Sequence, residues 1–565
     1  MFYVGCHLKS MNKYFAALSF LFFVGCGSSL EPVRPPLQVQ KIILMNPQGE
    51  SLKFEASHLS SENTGWFLKS PVQGVEGAAV EEIYSRGYLK NTQPILVAVL
   101  DSGVSIDHED LKNKIWTNPR EIPGNGKDDD HNGYIDDVHG WNFVGTVDSQ
   151  GRPINFEFAH LEIVRVYRFL EKKEKTVGLS NSEKEEKKEL YDLILSKQKF
   201  YQEKEKELVH LKIKLRNYFL KIKKNINKNF EEITEKDLLH FKSLNLDFIN
   251  VRTSMYELFV KHDIGSIKDL IESIKKMKMY SEVLYSFDKD PREKVLGDDL
   301  SDFSNPFYGN SIVSGDYTQH GTHVAGIIAA ERNNGIGIKG VAESVQILPV
   351  RVVPYGDEAD KDVYFGIKYA VDQGARIINM SFGKHKSLFS KKVQEAIRYA
   401  KNHDVLIVHS AGNLSENTDE VSLFPNVSDE PDLKSHWIGV GANTLKNDAS
   451  LVASFSNYGQ TTVDLFAPGK DILSTVPHGY GVLSGTSMAA PVVSGVAALL
   501  WSQYPHLSAP EVKRLILKSL RKHDGLHVIK PSPFPNRMTT VLFSSLSDGQ
   551  GVVDASRLFS TYLDW

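Results

Sequence analysis

Residues 483–495 read LSGTSMAAPVVSG, with Ser487 between Gly485-Thr486 and Met488-Ala489-Ala490-Pro491. From Met488 through Val493 to Leu500 and Trp501 the chain is so apolar that it reads as a buried helix. The Ser487 hydroxyl and N–H then sit at the electropositive start of that helix, hemmed in by small residues. A serine there either caps the helix or acts as a nucleophile, and this segment alone does not choose between them.

Two upstream segments bear on the choice. In PILVAVLDSGV (94–104) the apolar run Ile95–Leu100 ends at Asp101 and then Gly103, which fits a strand buried on both faces with a carboxylate at its carboxyl end. Open α/β sheets place their chemistry there. In HGTHVAGIIAA (320–330) Val324, Ile327 and Ile328 form a helical stripe, so His320 opens a second buried helix. Singly, Asp101 reads equally as a turn-former, and His320 with His323 as a core pair or a metal pair. Together they give the order Asp, His, Ser, one of the chain orders of a hydrolytic triad. A serine hydroxyl is a poor nucleophile at neutral pH, so His320 would take the Ser487 proton while an ionised Asp101 holds the other ring nitrogen. In VLIVHSAGN (405–413) an apolar strand runs into Ala411-Gly412-Asn413, which makes Asn413 either a donor to a developing oxyanion or a turn asparagine.

Strand-like runs alternate with helical ones: 345–353, 363–373, 376–382, 391–402 and 405–409. That alternation predicts an α/β fold with a doubly wound, mostly parallel sheet flanked by helices. A hard-cation motif lies in GNGKDDDHNGYIDD (124–137). Asp128, Asp130 and Asn132 alternate before Gly133 like the opening half of an EF-hand loop, with Asp136 and Asp137 placed to close the shell. The twelfth position is His139, not glutamate, so the expected calcium site is a variant one, and a solvated Asx-rich turn is the alternative.

On these motifs the chain resembles the subtilisin-like serine proteases over residues 65–151 and 305–558, well over half its length. The resemblance implies an endopeptidase that acts on polypeptides through an acyl-enzyme on Ser487, without a catalytic cofactor. It implies that Asn413 shares the oxyanion with the Ser487 N–H. It also implies that Ser381-Phe382-Gly383, Tyr355-Gly356 and Ala411-Gly412 take the substrate as an added strand. A structural calcium held by Asp110, Asn334 and the carbonyls of Ile336 and Ile338 follows from the same likeness. DGQGVVDASRLF (548–559) is similar to the family's usual last motif, so the catalytic domain is expected over 65–151 and 301–560, with no further C-terminal domain.

The segment 152–300 departs from that pattern. It is rich in Lys and Glu and separates Asp101 from His320, so it is expected to be an all-α insertion. Leu190, Ile194, Tyr201, Leu208, Leu211, Leu215, Tyr218 and Ile222 recur at helical spacing, with further helices expected around 238–259 and 267–284. Asn181-Ser182-Glu183 and Gly265-Ser266 are the expected caps. Its charges read as a solvated face, and a protein partner is the alternative.

The 565 residues carry a net charge of -4, which gives no sign of nucleic-acid binding. The two cysteines, Cys6 and Cys26, both precede residue 27, so no disulfide framework reports on redox compartment. Lys9 and Lys13 followed by the apolar run Phe15–Val24 resemble a secretory signal, with Met1 or Met11 as the start. Gly25-Cys26-Gly27 resembles the lipid-modification box of bacterial lipoproteins, although Phe23 stands where that box has an aliphatic. A signal peptide over 1–26, a leader over 27–64 and a protein tethered to the cell-envelope membrane at Cys26 are therefore expected, with plain secretion as the alternative. The competing functions are a catalytically silent scaffold of the same fold and a membrane-tethered interaction protein working through the insertion.

Overall fold

The computed structural model describes residues 65–563 apart from 244, 263, 289, 533 and 535–538. The signal segment, the lipid-modification box at Cys26 and the leader over 27–64 lie outside the described residues. The described residues divide into two compact units, one over Phe158–Val295 and a larger one over 65–157 with 296–563.

The larger unit is built on a nine-stranded sheet. Its strands are β1 (Ile95–Asp101), β2 (Trp141–Asn142), β3 (Val345–Arg351), β4 (Ile377–Met380), β5 (Leu406–Ser410), β6 (Trp437–Asn443), β7 (Leu465–Pro468), β8 (Arg521–Lys522) and β9 (Gly551–Val552). They lie in the order β8-β9-β7-β6-β5-β4-β1-β3-β2, and every neighbouring pair is parallel except β8 with β9. The chain passes from β1 to β3 on one side and then to β4 on the other, so the order reverses at β1. Crevices of this kind, at the carboxyl ends of strands flanking a switch point, are where open α/β sheets bind ligands.

The β1 residues alternate between two cores because successive side chains leave a strand on opposite faces. Val97 and Val99 face the helices α1 (Gln319–Ala329) and, further along the chain, Thr486–Gln503, whereas Ala98 and Leu100 face α2 (Asp360–Asp372) and α3 (Ser390–Asn402). We call Thr486–Gln503 α4; it is buried along almost its whole length, as its apolar run predicts, and packs on α1, β4, β5, β6 and β7. Helices α5 (Ala509–Lys518) and α6 (Ala555–Leu563) complete its layer. The sheet is thus covered on both faces, the doubly wound α/β arrangement read from the sequence.

The unit Phe158–Val295 is all-helical. Its longest helix, Asn181–Ile222, buries Leu211, Leu215, Phe219 and Ile222 against the helices Leu246–Lys261 and Ile267–Met279. Two expectations need correction. The cap of the long helix is Ser180, whose hydroxyl accepts from the Glu183 N–H while Glu183 reaches back to the Ser180 N–H, so Asn181 and Ser182 are already inside the helix. The single helix expected over 238–259 is two, Glu235–His240 and Leu246–Lys261, because Asn245 caps the second through the Phe248 N–H. Helix Glu162–Thr176 was not expected; it packs on the long helix and buries Ile163, Val166 and Leu170. Ser266 caps Ile267–Met279 as predicted. Among the described residues no helix is long and apolar enough to cross a membrane.

Candidate active site

The site is assembled from helix starts and the carboxyl ends of central strands of the sheet. Asp101 is the last residue of β1 and is 1% exposed. Its carboxylate accepts from His320 Nδ1 at 2.8 and 2.9 Å and from the Ser102 N–H at 2.7 Å. His320 lies in the first turn of α1, and Gly321 lets that turn come close to β1, since a Cβ there would fall 2.1 Å from the Gly103 carbonyl oxygen. Ser102 Oγ holds the same turn by accepting from the Gly321 N–H. Burial lowers the affinity of His320 for a proton, but the charge and hydrogen bond of Asp101 outweigh it and hold the imidazole above its usual pKa. Its side chain is 40% exposed, so the ring edge opposite Asp101 is open to a bound molecule. His323, one turn further on, is buried and donates from Nε2 to the carbonyls of Ile472 and Gly481. Burial drives its pKa down to about 3, so it stays neutral and belongs to the core, not to a metal pair.

Ser487 is the second residue of α4, and the helix starts from Gly485 with no side-chain cap. Ser487 therefore does not cap the helix, and its N–H is one of the first-turn donors that have no acceptor within the helix. α1 and α4 pack together, which brings His320 and Ser487 to the starts of neighbouring helices. Among the described residues the Ser487 hydroxyl donates to the Ser381 carbonyl at 3.1 Å and not to His320. The aspartate–histidine link of the expected triad is thus formed here, and the histidine–serine link is not.

Asn413 follows the end of β5. Its Oδ1 accepts from both the N–H and the hydroxyl of Thr486, at 2.8 and 3.0 Å, while the Thr486 hydroxyl takes the Gly412 N–H at 3.0 Å. With Oδ1 engaged, the amide nitrogen is turned outward beside Gly485, and it has no hydrogen-bond partner among the described residues. Gly412 has φ of +100° and a Cβ there would lie 2.5 Å from Asn457 Nδ2, so only glycine fits. Asn457, fully buried, fixes this loop by donating to the Ala411 carbonyl and accepting from the N–H groups of Leu414 and Glu416.

Ser381, Phe382 and Gly383 follow β4. The Phe382 carbonyl accepts from His409 Nε2 at 2.8 Å, and the Ser381 carbonyl is the one that takes the Ser487 hydroxyl. Tyr355 is 46% exposed and its N–H donates to the Glu157 carbonyl, while Gly356 adopts φ of +136°.

Sequence reasoning missed a buried polar chain beneath Ser487. Ser494 donates to Asn379 Oδ1, Asn379 Nδ2 to the Ser381 hydroxyl, and that hydroxyl to the Ser487 carbonyl, each at 2.9 Å. All three side chains are at most 3% exposed. The signal in the sequence was an asparagine within the apolar run IINM, a polar group that needs partners wherever it is buried.

The acidic loop is only partly as expected. Asp128 and Asp130 converge with Glu121, their carboxylate oxygens within 4.8 Å of one another. Glu121 is 6% exposed and its Oε2 has no hydrogen-bond partner. Three carboxylates with one buried oxygen unspent suit a hard divalent cation. Asp136 and Asp137, expected to close that shell, do not join it. Asp136 accepts from the N–H groups of Asn125 and Gly126. Asp137 is fully buried and accepts from Asn118, Asn132, Tyr369 and Gln373, with burial pushing its pKa up to about 6. Asn132 spends its Oδ1 on the Tyr134 N–H and its amide on Asp137. At the second expected position, fully buried Asp110 accepts from Asn334 Nδ2 and the Ile338 N–H, so those two loops do meet. Burial raises the pKa of Asp110.

Residues 92–533 match the model of the subtilase family. The thermophilic serine proteinase of Bacillus sp. (strain AK1) is 40% identical over 216 residues, 36% of this chain and 50% of that one. The cell wall-associated protease of Bacillus subtilis (strain 168) is 38% identical over 39% of this chain and 23% of its own length. Thermitase of Thermoactinomyces vulgaris is 42% identical over 41% of this chain and 76% of its own. The chain therefore spans about half the length of the first of these relatives, less of the second and more of the third.

Proposed function

This chain belongs to the subtilase family, and on that premise we propose that it is an exported serine endopeptidase that cleaves polypeptides through an acyl-enzyme on Ser487. The observation that carries the reading is the His320–Asp101 pair at 2.8 Å beside the uncapped start of α4. A rotation about the Ser487 Cα–Cβ bond turns its hydroxyl from the Ser381 carbonyl toward His320 Nε2; hydrogen bonds of this kind tighten when substrate binds. His320 takes the Ser487 proton as the oxygen attacks the scissile carbonyl, and later returns it to the leaving amine. Asp101 stays ionised, keeps the proton on Nδ1 and stabilises the imidazolium. The Asn413 amide and the Ser487 N–H receive the oxyanion. The substrate lies as a strand along Ser381–Gly383, with Tyr355-Gly356 opposite and Ala411-Gly412 beneath it.

The maturation and location we propose are acylation at Cys26 and attachment to the cell-envelope membrane, supported by the charge and hydropathy pattern of residues 9–27. Structural calcium is proposed at Glu121, Asp128 and Asp130, and a second ion at Asp110 and Asn334; a bound cation there neutralises clustered carboxylates and ties loops together.

A fluorophosphonate probe tests the catalytic reading. The mature protein is expected to be labelled, and Ser487→Ala to abolish labelling while leaving the circular dichroism unchanged. Folded, mature protein that takes up no label would make the chain a silent scaffold of the same fold.

A further inference from the structure

The long helix Asn181–Ile222 turns a line of aliphatic side chains away from its own core. Val209, Ile213 and Leu220 are 36%, 51% and 61% exposed, while Leu211, Leu215 and Phe219 on the opposite side are buried. At about 100° per residue the three exposed side chains fall within about 40° of one another, along about 17 Å of helix. The charges around them are one-sided. Residues 181–207 mix both signs, but from Leu208 to Asn229 the chain contains seven Lys or Arg and no Asp or Glu. By the same helical spacing Lys212, Arg216 and Lys223 flank the aliphatic line on one side, and Lys214 and Lys221 on the other. None of these five forms an ion pair among the described residues, in contrast to Lys204 and Lys228, which pair with Glu207 and Asp237. Lys221 and Lys223 are exposed residues that lie over the rings of Tyr218 and Phe219, and the Lys223 ammonium also donates to the Lys228 carbonyl, which leaves its charge without an acidic partner.

We propose that this face of residues 209–224 docks on an anionic lipid surface. Aliphatic side chains framed on both sides by unpaired cations match acyl chains framed by acidic headgroups. A second copy of the same face would set lysine against lysine, and a nucleic-acid backbone would offer nothing to Val209, Ile213 and Leu220. The helix lies flat in this arrangement, its aliphatic line turned to the acyl chains. The inference is independent of the catalytic reading and of acylation at Cys26.

The experiment uses the chain from residue 27 onward, which lacks both Cys26 and the apolar run 15–24 assigned to the signal, in flotation with two vesicle types. One is pure phosphatidylcholine, and the other contains phosphatidylcholine and phosphatidylglycerol in equal parts. Partition onto the anionic vesicles is expected to exceed that onto the neutral ones by at least about ten-fold and to fall in high salt. Ile213→Ser with Leu220→Ser, and separately Lys214→Gln with Lys221→Gln, are each expected to weaken it several-fold with unchanged circular dichroism. Equal partition onto both vesicles, or anionic binding that neither pair alters, overturns the proposal. So does tighter binding to duplex DNA or an acidic protein that the serine pair leaves intact, which would make the face a general polyanion site.

Discussion

At the scale of single residues, His320 sits between two opposed influences, desolvation and the carboxylate of Asp101, and the second prevails. A base must be neutral to accept the Ser487 proton, so kcat/KM is expected to rise with pH through a midpoint above the ordinary histidine value of 6.5. His323 and His409, held down to about 3 and 4 by burial, do not titrate in that range. Asp101→Asn is expected to lower the midpoint and reduce kcat by about 10⁴, the loss known for this change in another triad protease; pH profiles of both forms check it. The stabilisation from the charged His320–Asp101 pair runs the other way: it is fully present below the unfolded pKa and lost as pH rises through the raised folded one. Asn413 is oriented through Oδ1 alone, leaving its amide for the oxyanion. Asn413→Ala is expected to lower kcat by about 10²–10³ with little change in KM, a magnitude established for the same kind of donor in subtilisin. Steady-state kinetics on a peptide amide decide it.

Among the elements, the strand β1 and the helices α1 and α4 were legible from periodicity, because each is a continuous apolar run bounded by a functional residue. Boundaries set by side-chain hydrogen bonds were less legible. Ser180 and Asn245 compete with neighbouring Ser and Asn residues for the cap, and which wins depends on the backbone geometry of the entering chain. The acidic loop shows the same limit. Its alternating Asp128, Asp130 and Asn132 suggested ligands, but Glu121, seven residues earlier, supplies the buried oxygen and Asp137 is taken by Tyr369. Chelation is expected to lower the unfolding temperature of the wild type, by the equivalent of about 2.7 kcal/mol if calcium had been present at a hundred times Kd. Glu121→Gln is expected to reduce that sensitivity. Calorimetry with and without a chelator measures both, and a wild-type transition that chelation leaves in place removes the calcium assignment.

For the whole molecule, every side chain assigned to the catalytic site lies outside the helical unit Phe158–Val295, which has its own apolar core around Leu215, Met255 and Phe259. Replacing 158–295 by a short Gly/Ser linker is therefore expected to leave a folded enzyme with kcat/KM on a small peptide within a few-fold of the full chain. Loss of folding would show that the larger unit depends on it. The sequence by itself determined the α/β class and the order of strands and helices, and it singled out Asp101, His320, Asn413 and Ser487 as candidates, because hydrophobic period and local motif are properties of contiguous residues. Only the tertiary structure decided that Ser487 opens its helix without capping it, that Asn379, Ser381 and Ser494 brace it from beneath, and that Glu121 replaces Asp136 and Asp137 in the acidic cluster. Those outcomes depend on which buried polar groups meet across the fold, and a buried donor or acceptor takes whichever partner the packing brings within reach.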